Sequence, residues 1–82
     1  MEKNEVVSII NQFLIDEIEI EESLIKDDAR LKEDLGIDSL DFVDVVVIVE
    51  RNFGFKIKAE EMTQIITLSD FYNYIYDKVN QQ

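Results

Sequence analysis

The stretch from Asp38 to Gly54, DSLDFVDVVVIVERNFG, decides the fold class, because its six β-branched residues can be read as either a strand or a helix. Branching at Cβ favours the strand. A strand, however, would send Val45 and Val46 to opposite faces, whereas at about 100° per residue Phe42, Val45, Val46, Val49 and Phe53 share one side of a helix. The ends agree with the helix. Asp38 or Ser39 supplies an N-cap, Asp41 and Asp44 lie near the positive end of the helix dipole, and Gly54 stands where a left-handed residue closes a helix. The expectation is a helix from Asp38 to Asn52.

The rest of the chain follows the same period. From Glu2 to about Glu17, Val6, Ile10, Phe13 and Leu14 recur at intervals of three and four, which predicts an amphipathic helix. Near the other end, TLSD carries a capping pattern, Thr67 with Asp70 three residues on, ahead of Leu68, Phe71, Tyr72, Ile75 and Val79. Between Ala59 and Gln64 there is room for one or two helical turns, with Ile57 and Met62 as core contacts. Residues 18–37 are mixed. EIEIEES alternates like a strand, but no second alternating segment is present to pair with it, so the expectation is a long loop with room for a short helical turn. Ile20, Leu24, Ile25, Leu31 and Leu35 are expected to pin that loop to the core. The fold class is all-α, a small four-helix bundle with a long loop between helices 1 and 2 and a short third helix.

Composition narrows what such a bundle can do. Eighty-two residues without proline, repeats or low-complexity tracts suit one domain, residues 1–82. There is no cysteine and no histidine, so disulfides, thiolate metal sites and the commonest general base are all missing. Nineteen acids against eight Lys and Arg give a net charge of −11, which disfavours nucleic acid and anionic membrane surfaces and favours a basic protein partner. Residues 33–50 hold six acids, Glu33, Asp34, Asp38, Asp41, Asp44 and Glu50, and no cation; on charge alone, a solvated acidic face accounts for them. The alternating ligand ladder and final glutamate of an EF-hand are absent from this region. The amino terminus has neither a signal-peptide nor a transit-peptide pattern, so the expected location is the cytoplasm.

Turning the core stripe of the second helix inward places Leu40, Val43 and Val47 on the opposite side, beside Asp41, Asp44, Ile48, Glu50 and Arg51. As a set these suit a docking surface for a basic, apolar-centred groove; any one of the valines could equally pack beneath the loop or the short third helix. Ser39 has two readings as well. Serine at a helix start ordinarily caps backbone N–H groups. If its hydroxyl reacts, another enzyme must activate it, because no histidine is present to do so.

EDLGIDSLDFVDVVVIVERNFG closely resembles the acyl carrier protein signature, in which Asp-Ser-Leu follows a DLG turn and opens the second of four helices. The likeness extends over nearly the whole chain, with FKIKAEEM as the third helix and ITLSDFYNYI as the fourth. The resemblance implies that Ser39 carries 4′-phosphopantetheine, attached from coenzyme A by a Mg²⁺-dependent phosphopantetheinyl transferase, and that the terminal thiol of this arm holds acyl groups as thioesters. It implies no catalysis by the chain itself. Asp38, Leu40, Asp41, Val43, Asp44, Val47 and Glu50 match the partner-recognition positions around that serine. The implied partners are ketosynthases, acyltransferases, reductases and dehydratases with basic docking surfaces, and the implied state is a monomer. Fatty-acid synthesis is the default pathway, with polyketide, aryl-polyene, aminoacyl and lipid-A routes as alternatives. Phe42, Val46, Ile65 and Leu68 are candidates for a pocket lining and equally for ordinary core. Departures from the pattern are Arg51 on the acidic face, Val47 in place of a frequent methionine, and Lys56 and Lys58 around Ile57. An unmodified acidic interaction module, with Ser39 only a helix cap, is the alternative from another class.

Overall fold

A computed structural model describes residues 1–81, with all their side chains except that of Ala59. In chain order the elements are α1 (Lys3–Asp16), a 3-10 turn (Glu22–Leu24), α2 (Ser39–Phe53), α3 (Ala59–Met62) and α4 (Leu68–Asn80). The all-α architecture is the expected one. In place of strands, the described residues hold one isolated bridge between Arg30 and Thr67.

The helix at α2 wins over its composition because burial outweighs propensity. Six β-branched residues cost about 0.5 kcal/mol each relative to alanine, roughly 3 kcal/mol together. Against this, Phe42, Val45, Ile48, Val49 and Phe53 are buried, each contributing about 1.5–3 kcal/mol. Both ends are closed. Asp38 forms a capping box with Asp41, and Gly54 takes a left-handed backbone at φ 81° while its N–H donates to the Glu50 carbonyl at 2.9 Å.

α1 buries Val6, Ile10, Phe13 and Leu14 and packs on α4, which buries Leu68, Phe71, Tyr72 and Ile75; Val79 is half-buried. The Tyr72 hydroxyl donates to Asn11 Oδ1 across that contact, as Lys3 Nζ does to Asn73 Oδ1 at 2.6 Å. The capping box anticipated from TLSD is present at Thr67 and Asp70. α1 ends less comfortably. Glu19, a non-glycine residue, sits at φ 64° so that Ile20 N–H can reach back to the Leu14 carbonyl at 2.9 Å.

Three expectations need correction. Leu24 does not pin the loop but is 42% exposed; the expected anchors Leu31 and Leu35 are buried, and Ala29 and Ile37 join them. Ile48, placed outward from the sequence, is buried, because at about 60° from Val45 around the axis it still falls within the inward arc. The third helix does not begin at Phe55, as the resemblance implied, but at Ala59, as the residues themselves suggested. Residues 55–58 alternate half-buried, exposed, buried, exposed, the two-residue period of extended backbone, and helix starts only at Ala59. Beyond Met62 the chain continues as a turn, with Ile65 N–H bonded to the Met62 carbonyl at 3.1 Å.

The long loop is held by backbone hydrogen bonds as well as by apolar anchors. Leu31 N–H donates to the Ile66 carbonyl at 2.9 Å, Leu68 N–H to that of Ala29 at 2.8 Å, and Ser69 N–H to that of Asp27 at 2.8 Å. These bonds fasten the loop to the entry of α4.

Candidate functional site

The DLG turn delivers the chain to α2. Asp34 Oδ2 accepts the Arg30 N–H at 2.8 Å, and the Arg30 guanidinium Nε lies 3.2 Å from the same oxygen. This hydrogen bonding from Arg30 holds the Asp34 carboxyl below its usual range and pushes the guanidinium up. Leu35 is buried as the anchor. Gly36, at φ 71°, gives the left-handed step that lets Ile37 N–H reach the Leu31 carbonyl at 2.8 Å.

At the head of α2 the capping falls to Asp38. Its Oδ1 accepts the N–H groups of Leu40 and Asp41, both at 3.0 Å, and Asp41 Oδ2 accepts the Asp38 N–H at 3.3 Å. Of the two N-cap readings, the structure takes Asp38. Ser39 is therefore the first residue of the helix, exposed, and not the cap.

Beside it lies an apolar groove of about 190 Å³ lined by Ser39, Phe42, Val43, Val46, Met62 and Thr63. Two of the four suggested lining residues, Phe42 and Val46, contribute to it. Ile65 lines an adjacent recess with Arg30, Lys32, Glu33, Thr63 and Ile66, and Leu68 is fully buried core. Met62 and Thr63 were not anticipated as lining, since their place opposite α2 depends on how the short α3 docks. α3 is fixed from behind by Glu61, which accepts from the Tyr74 hydroxyl and lies 3.8 Å from Lys78 Nζ. The Tyr74 hydrogen bond, aided by the charges of Lys78 and Lys58, draws the Glu61 carboxyl below its usual range.

The outward face of α2 carries Leu40, Val43 and Val47, respectively 78%, 63% and 56% exposed. Asp38, Asp44 and Glu50 are exposed around them, and Asp41 is half-buried within the capping box. Lone exposed apolar residues are ordinary, but three on one helix face rimmed by acids form a patch with a recognition chemistry. Arg51, at the far end, is engaged by Glu17 at 2.5 Å. The acids do not converge: among the described residues no group of three or more acidic side chains is placed to hold a metal ion. Nor is any described helix long and apolar enough to cross a membrane.

Comparison with known families gives the arrangement its class. Residues 8–75 match the family described as the phosphopantetheine attachment site. The chain belongs to that family. Over 77 residues it is also 34% identical to the acyl carrier protein of Thermotoga maritima, an alignment covering 94% of this chain and 95% of the relative. The protein is thus an acyl carrier of the phosphopantetheine-attachment family and not a catalyst; its cofactor is phosphopantetheine, and its partners are a phosphopantetheinyl transferase and biosynthetic enzymes. The site suits such a group in its chemistry: an exposed primary hydroxyl at a capped helix head offers an acceptor for a phosphodiester, and an apolar groove adjoins it.

Proposed function

We propose that residues 1–82 act as one carrier domain, monomeric and cytoplasmic, in which Ser39 Oγ accepts the phosphopantetheine arm from coenzyme A. Attached there, the arm supplies the terminal thiol that holds acyl groups as thioesters. The observation that carries this reading is the exposed Ser39 hydroxyl, free of capping duty, at the mouth of the apolar groove. Asp38 serves the site by fixing the first turn, so that Ser39 is presented on a rigid element. Phe42, Val46 and Met62 offer apolar surface against which the arm or its cargo can lie.

The chain delivers its cargo to the ketosynthases, acyltransferases, reductases and dehydratases of fatty-acid biosynthesis. They and the transferase engage the face formed by Asp38, Leu40, Asp41, Val43, Asp44, Val47 and Glu50. Apolar exposure at the centre with acids at the rim supports this, since basic grooves gain steering from the charges and affinity from the desolvated centre.

Co-expression with a phosphopantetheinyl transferase tests the attachment. The intact mass should rise by one phosphopantetheine group in the wild type and not at all in Ser39→Ala. A wild type that stays unmodified would return the chain to an acidic interaction module. Acceptance of a malonyl group from a fatty-acid acyltransferase, set against acceptance from a polyketide loading enzyme, tests the pathway.

A further inference from the structure

A diester on Ser39 would place a new negative charge between Asp38 and Asp41, in a stretch from 33 to 50 that contains six acids and no Lys or Arg. Like charges this close repel, and the two N–H groups most available to an anion at this helix start are already taken by Asp38. A counter-charge has to come from elsewhere in the fold, and the long loop brings two candidates to this end of the molecule.

Arg30 is committed. Its Nε lies 3.2 Å from both Glu33 and Asp34. Lys32 is different. It is exposed, and among the described residues it makes no ion pair and no side-chain hydrogen bond. Its Nζ rests 5.9 Å from the centroid of the Phe42 ring. Phe42 is three residues after Ser39, one turn along the same face of α2, and lines the same groove. A cation without an ion pair among the described residues therefore rests on an aromatic ring that also lines the serine's groove. A solvent-exposed ammonium in a cation–π contact is weakly held, and a charged phosphate oxygen is the stronger acceptor.

We propose, on the reading that Ser39 is the attachment point, that Lys32 is the counter-ion of the arm's phosphodiester, moving from the Phe42 ring to a phosphate oxygen once Ser39 is loaded. The move offsets the repulsion from Asp38 and Asp41.

The test compares wild type, Lys32→Gln and Lys32→Arg, each unloaded and loaded to completion with excess transferase, by thermal melting and by the phosphorus resonance of the diester. Loading should lower the Tm of Lys32→Gln by about 2–5 °C more than it lowers that of the wild type, as expected for one exposed ion pair in a domain of this size. The phosphorus resonance should differ between them, and Lys32→Arg should follow the wild type. Equal Tm changes on loading and superimposable phosphorus signals would overturn the proposal, as would a Lys32→Gln deficit of the same size before and after loading, which would leave Lys32 as a cover for Phe42. A difference seen only with a malonyl cargo, and not with the free thiol, would assign Lys32 to the cargo carboxylate and overturn the diester assignment. A wild type that gains no mass would overturn the Ser39 reading and this inference together, whereas full loading with no Lys32 dependence overturns this inference alone.

Discussion

Asp38 adjoins the proposed attachment serine and also caps α2, and the two duties can be separated. Asp38→Ala removes the oxygen that accepts from Leu40 and Asp41 at 3.0 Å each. The reciprocal bond from the Asp38 N–H to Asp41 survives, because it uses backbone on one side. Loss of an N-cap side chain costs about 1 kcal/mol, within a range of about 0.5–2. Two further effects oppose each other: a carboxylate at a helix N-terminus is worth about 0.3–1 kcal/mol, and its removal relieves repulsion of similar size within the acidic face. The net expectation stays near 1 kcal/mol, or a Tm lower by about 4–8 °C for a domain this small. Asp38→Asn keeps the acceptor, drops the charge and should melt close to wild type, since asparagine caps as well as aspartate. Circular-dichroism melts of the three proteins, with transferase loading rates measured in parallel, give both readouts. The asparagine variant should load more slowly while remaining as stable as wild type. If it instead loses as much stability as the alanine variant, the charge and not the cap stabilises α2, and the argument from hydrogen-bond geometry is wrong.

Other perturbations probe the frame. Glu19→Gly, at the left-handed residue closing α1, should stabilise by about 0.5–1 kcal/mol, visible as a Tm higher by a few degrees; no gain would mean that Glu19 holds that conformation without strain. On the acid side, the Asp34 carboxyl, depressed from 3.8 chiefly by its hydrogen bond with Arg30, contributes stability that is present above its ordinary value and lost as pH falls through the depressed one. Asp34→Asn should therefore flatten the fall in urea midpoint below pH about 4, and an unchanged acid limb would contradict this. On the alkaline side, burial, joined by the negative charge of Asp27, pushes the Tyr72 phenol from 10.0 up to about 12. A raised value means stability that is intact below 10 and lost as pH climbs to the higher value. Tyr72→Phe should make the chemical-denaturation profile shallower across that window, and an identical slope would count against it.

What could be read from the sequence, and what could not, divides along the range of the interactions. Caps are local, so TLSD, Asp38 and Gly54 announce the ends of α4 and α2 from neighbouring residues alone. The core stripe of α2 is nearly as legible, except at Ile48, which sits at the edge of an arc whose width depends on how deeply the other elements embrace the helix. Leu24 and Ala29 show the same limit. Which apolar residue of a loop turns inward depends on backbone hydrogen bonds to a partner nearly 40 residues away, and no spacing rule reports those. The extended run 55–58 carries its own signal, Phe-Lys-Ile-Lys, a period-two pattern consistent with the helix start at Ala59 read from the residues and not with the longer third helix that the resemblance implied. Ser39 and the acidic apolar face were readable as chemistry and position. Lys32 was not, because only folding of the loop sets it over Phe42.

The hydrogen bonds from Leu31 to Ile66 and from Leu68 to Ala29 have a mechanical meaning. They stitch together the chain on either side of α2, so the helix is bounded at both ends by the same seam. A group attached at Ser39 would pull on a helix whose preceding and following chain segments are fastened to each other. A tether fixed there can swing widely while its anchorage stays still.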